Sequence, residues 1–81
     1  MNNYELSYYG VCPVDGAIIQ YSLSVVTDSV IYVEHLETYV STISHLIHEE
    51  QADKICSVFS GTQILEAIHG KTTIITKRSG V

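Results

Sequence analysis

The residues able to do chemistry are few and fall in short stretches. "YYGVCPVDG" (8–16) holds Cys12, one of two cysteines, directly before Pro13, the only proline, with Asp15 three residues on. A thiolate is the best side-chain nucleophile near neutral pH, and a carboxyl beside it can move the protons that such an attack requires. Pro13 fixes its own φ and disfavours a helical conformation at Cys12, so the thiol is expected in an extended turn at a strand end, where it can be reached. "LIHEEQ" (46–51) carries His48, Glu49 and Glu50, and "VEHL" (33–36) carries Glu34 and His35. The other cysteine, Cys56, falls on a helical stripe with Ala52, Ile55 and Phe59 and is expected to be structural.

Each of these residues also has a plainer explanation. Most free cysteines are small buried hydrophobes. His48 and Glu49 suit a first helical turn with solvated charges. Lys77-Arg78 suits a solvated strand end, and His69-Gly70 a hairpin turn. A metal site would have to collect Glu34, His35, His45 and His48, whose spacing fits no zinc pattern, so no metal is expected.

The elements that must position these groups follow from periodicity. "YELSYYGV" alternates loosely as a short strand. In "AIIQYSLSVVT", Ile19, Tyr21, Leu23 and Val25 share one face and Gln20, Ser22 and Ser24 the other, which is the period of a strand. "TDS" at 27–29 marks a turn. After Glu34 the period changes: Leu36, Tyr39, Val40 and Ile43 form a helical stripe. A second helix has Glu49 and Glu50 in its first turn, at the positive end of the dipole, and Gly61 after its last. "QILEAIHGKTTIITKR" closes the chain as two strands turning near "HGK". The expected order is ββααββ, an antiparallel sheet with two helices on one face.

The chain has 81 residues, enough for one domain (1–81), is 46% hydrophobic and carries a formal charge of −5. A domain this small is marginal alone, and a four-stranded sheet leaves two edges that invite pairing, so copies are expected to associate. The acidic balance disfavours tight, unaided binding to a nucleic-acid backbone. Two cysteines are too few for a disulfide framework, which suits a reducing compartment. With no N-terminal signal pattern and no apolar run near ~18 residues, no membrane partner is expected, and the expected location is cytoplasmic, or host cytoplasm for a viral chain.

Taken in order, "CPVDG", "VEHLETYV" and "LIHEEQADKI" resemble the QueF-like enzymes of the tunnelling-fold (T-fold) group, over about residues 10 to 80. "LIHEE" is more similar to the amidine-forming, archaeosine-type branch than to the nitrile reductases. The resemblance implies a T-fold whose copies close into a β-barrel as a pentamer or decamer. It further implies 7-cyano-7-deazaguanine as substrate, as free base or within nucleic acid. Cys12 would add to the nitrile carbon to form a thioimide. Asp15 or His48 would supply the proton, Glu49 would accept two ring N–H groups, and Glu34 would help to bind substrate. Ammonia or an amine would then displace the sulfur to give the amidine, with no cofactor.

Where the family's reductases have lysines for the NADPH phosphate, this chain reads Glu34-His35-Leu36-Glu37-Thr38-Tyr39, and a carboxylate there repels a phosphate. The family's acid also lies further beyond the cysteine than Asp15 does, which leaves Asp15, Gln20 or Ile19 at its place. Two alternatives stand beside the amidine-forming enzyme: an NADPH-dependent reductase of the same nitrile, and a non-catalytic T-fold subunit that binds a purine or pterin.

Overall fold

The structure, a computed structural model, describes residues 1–80. Its elements are β1 (Asn2–Val11), β2 (Ile18–Thr27), α1 (Val33–Ile43), α2 (His48–Val58), β3 (Gly61–His69) and β4 (Thr72–Gly80). The strands form one antiparallel sheet in the order β1-β2-β3-β4. Among the described residues, no helix is long and apolar enough to cross a membrane.

The alternation in β2 decides which face is buried. Ile19, Tyr21, Leu23 and Val25 are all in the core, while Ile18 and Gln20 face away from it. Leu65 and Ala67 of β3 continue that face. Leu36, Val40 and Ile43 of α1 and Ala52 and Ile55 of α2 cover it. Burying each large aliphatic side chain stabilises the fold by roughly 1.5–3 kcal/mol relative to leaving it in water. Phe59, just after α2, packs between the helices, against His35 at 5.1 Å and edge-on to Tyr39 at 5.7 Å.

One close approach sets how the helices sit. Gly10 lies beneath the end of α1, where a Cβ would run into the carbonyl oxygen of Ser44 and the ring of Tyr21. Only glycine lets the backbone of that helix end descend onto β1.

The six elements run in alternate directions between the two ends of the sheet, three each way. As a result, four segments share one end: the β1–β2 turn, the C-terminus of α1, the N-terminus of α2 and the β3–β4 turn. The start of α1 lies at the other end. The molecule measures 37 × 21 × 18 Å, and ten-residue strands account for its long axis.

The expected T-fold closing into a β-barrel is corrected by this topology. The sheet is open, with β1 and β4 as its edges. The edge strands mix polar and charged residues, Asn2, Asn3 and Glu5 on β1 and Lys77 and Arg78 on β4, with exposed apolar ones, Tyr9, Val11 and Ile75. Element order is legible in hydrophobic periodicity; closure of the sheet is not, because it depends on what the edges meet. The architecture is a small α+β fold of ββααββ order.

Candidate active site

Cys12 follows the last residue of β1 and begins a tight turn. Its N–H donates to the Ala17 carbonyl at 2.8 Å, and the Gly16 N–H donates to the Cys12 carbonyl at 2.9 Å. Gly16 holds φ at +74°, which a residue with a Cβ rarely adopts. Inside this turn the Ala17 N–H also donates to Asp15 Oδ1 at 3.0 Å. Pro13 and this hydrogen-bond set hold Cys12 and Asp15 in one rigid loop. The Ala17 N–H keeps the Asp15 carboxyl below the usual carboxylate range; the neighbouring Cys12 thiol and His69 add to that shift.

A cavity of about 140 Å³ opens against this turn. Among its lining residues are Cys12, Ile19, Tyr21, His48, Glu49 and His69. The N-terminus of α2 forms one wall, so His48 and Glu49, which are 36 and 37 residues after Cys12 in the chain, meet it in space. His48 is buried. Its Nε2 shares a hydrogen bond with Thr76 Oγ1 at 2.8 Å, and its Nδ1 is buried without a partner. Burial lowers the pKa of the imidazole and the Arg78 guanidinium lowers it further, while Glu49 opposes them. His48 is thus disposed to be neutral.

The floor of the cavity is aromatic and well braced. Tyr21 stacks on Tyr8 at 5.0 Å and on His48 at 6.1 Å. The Tyr8 hydroxyl donates to Gln51 Oε1 at 2.7 Å, and Gln51 Nε2 donates to the Leu46 carbonyl at 2.8 Å. Leu46 lies in the link between the helices and also lines the cavity.

The structure therefore brings Cys12, Asp15, His48 and Glu49 to one end of the sheet. Glu34 is not with them. It lies in the first turn of α1, ten residues before Ser44 at the site end, a run of about 15 Å along the helix. Within one chain, Glu34 does not meet a ligand held at Cys12. The expected accessibility of the thiols is also corrected. Cys12 is 9% exposed, packed in the core cluster and open only to the cavity. Cys56 is half-buried at the helix edge, with its Sγ donating to the Ser79 carbonyl at 3.2 Å. The stripe that carries Cys56 buries Ala52 and Ile55 more fully, because α2 rotates its His48–Gln51–Ala52–Ile55 face onto the sheet.

His69 is the residue that periodicity did not single out. Its Nε2 lies 3.2 Å from Asp15 Oδ2, across 54 residues of sequence. The signal for it was indirect: if β2 pairs with β3, the turns at 12–17 and 69–72 must lie side by side.

The arrangement offers a buried thiol beside a carboxylate, two imidazoles and a second carboxylate around a small cavity. That set supports attack by sulfur on an electrophile with proton transfer close at hand. No protein-family model, curated protein or solved structure matches this chain.

Proposed function

We propose that the protein is a 7-deazaguanine-modifying enzyme that attacks the nitrile of 7-cyano-7-deazaguanine through Cys12 and forms the amidine. The observation that carries this proposal is that Cys12, His48 and Glu49, drawn together by their resemblance to QueF-like motifs, line one cavity, with Asp15 beside Cys12 and His69. In the first step the Cys12 sulfur bonds to the nitrile carbon, and the nitrile nitrogen takes a proton that Asp15 or His48 relays. Ammonia then adds to the thioimide carbon, and the C–S bond breaks to return the thiol and leave the amidine. No electrons enter from outside, so the sequence needs an amine and no hydride donor. Glu49 accepts the adjacent ring N–H groups of the base.

The cavity is smaller than the roughly 300–1,000 Å³ of common ligand sites, so it encloses only part of a bicyclic base. A second copy completes the site in this proposal, and brings Glu34 to it. Apolar side chains exposed at the same end of the sheet, Tyr9, Val11, Ile18 and Ile68, support a covered surface there. Incubation with the cyano-deazaguanine in the presence of a chelator, followed by mass spectrometry, tests the chemistry. One covalent adduct per chain, absent in Cys12→Ala and converted to the amidine by ammonium, is expected. No adduct at saturating nitrile, or an aminomethyl product formed with NADPH oxidation, overturns the proposal.

A further inference from the structure

Asp15 and His69 form a solvent-exposed pair, and such pairs contribute little to stability. What an ion pair does not require is a thiol in the same place. The Cys12 Sγ, one Asp15 carboxylate oxygen and one His69 ring nitrogen all lie within 4.8 Å of one another. We propose that Cys12, Asp15 and His69 form a binding site for a thiophilic divalent cation of the zinc class.

The donor set and its spacing fit that ion. Zinc takes thiolate sulfur at about 2.3 Å, imidazole nitrogen at about 2.0–2.1 Å and carboxylate oxygen at about 2.0–2.2 Å. In a tetrahedron those bond lengths place donor atoms about 3.3–3.6 Å apart. Asp15 Oδ2 and His69 Nε2 are already 3.2 Å apart. The sulfur has at most about 1.2–1.5 Å to close from the 4.8 Å limit.

Two of the three ligands come from one braced turn. The Ala17 N–H occupies Asp15 Oδ1 and leaves Oδ2 towards His69, which is the kind of outer hydrogen bond that orients a ligating carboxylate. The third ligand is the last residue of β3, so the ion would tie the β1–β2 turn to the neighbouring strand end. Three protein ligands leave a fourth position, and the cavity that Cys12 and His69 line is where it opens. His48 lines the same space. On binding, the Cys12 S–H bond breaks, its proton leaves to solvent and the sulfur keeps the electron pair for the metal. Nothing is oxidised or reduced.

This site stands apart from the nitrile proposal. A sulfur bound to metal cannot add to a nitrile, so metal occupancy caps the thiol. The two ideas therefore fail separately when metal binding is measured with no nitrile present.

Cobalt(II) alone, titrated into chelator-treated protein, is the probe. The expected result is one cobalt per chain with a near-ultraviolet thiolate-to-cobalt charge-transfer band. Zinc should displace it, and Cys56→Ala should leave it intact. Asp15→Asn and His69→Gln sit on exposed or half-exposed positions and should fold; each should weaken binding about tenfold or more. Cys12→Ser should lose the band, and circular dichroism should check its fold. Saturation without a thiolate band, or equal affinity in the Asp15→Asn and His69→Gln proteins, would overturn the site.

Discussion

Replacing Tyr8 by Phe removes one oxygen from a chain of hydrogen bonds that braces the cavity. The Tyr8 hydroxyl donates to Gln51 Oε1 at 2.7 Å, and the Gln51 side chain is fully buried. Without the hydroxyl, Oε1 loses its 2.7 Å donor inside the fold. Leaving a buried acceptor unsatisfied costs about 1–3 kcal/mol. Urea slopes for small domains start near ~1 kcal/mol/M, so the unfolding midpoint should fall by about 1–3 M at that slope. The melting temperature should fall by about 4–8 °C for each kcal/mol lost in a domain of this size. Tyr9→Phe, on the exposed face of the same strand, should stay within about 0.5 kcal/mol of wild type.

The same hydroxyl makes a second signature. Burial raises the Tyr8 pKa, and the Tyr21 phenol adds to it. The folded state therefore resists the phenolate, while the unfolded chain ionises near pH ~10. Stability from this group is complete below the unfolded value and is lost as pH rises towards the folded one. Wild type should thus lose stability in alkali more steeply than Tyr8→Phe, with Tyr21 as a background common to both. Equal urea midpoints for wild type, Tyr8→Phe and Tyr9→Phe at neutral pH would refute the reasoning, since the Gln51 amide would then need no partner.

Three further outcomes follow from particular contacts. Gly10→Ala should destabilise the protein by about 1–3 kcal/mol, because its Cβ meets the Ser44 carbonyl and lifts the end of α1; an unchanged thermal midpoint would contradict that approach. The His48 ring should titrate below the ordinary ~6.5, so its contribution to stability is present above that pH and lost as pH falls through the folded value; a proton NMR midpoint above 6.5 would reverse the sign. A bulky maleimide should label half-buried Cys56 before Cys12, whose sulfur is reached only through the cavity, and faster labelling of Cys12 in peptide mapping would disprove that order.

Local chemistry alone specified much of the framework. The alternation of Ile19, Tyr21, Leu23 and Val25 identifies the buried face of β2, because successive side chains in a strand must point to opposite sides. The stripe of Leu36, Val40 and Ile43 does the same for α1. Glu49 and Glu50 mark the start of α2, where backbone N–H groups have no helical partner. Cys12 and Asp15 stand out by residue type around the only proline, while His48 and Glu49 are singled out by their resemblance to QueF-like motifs.

Tertiary structure decided the rest. The pairing of β2 with β3 places the 12–17 and 69–72 turns together, and so gives Asp15 its contact with His69, a relation no local period encodes. The rotation of α2 buries Gln51 and His48 and leaves Cys56 nearer the surface, although the stripe alone treats Cys56 as core. Glu34 and Cys12 end up at opposite ends of the sheet because α1 runs back along it. Periodicity reports which face of an element is apolar; which loops meet, and whether an edge is open, depends on contacts between residues far apart in the chain.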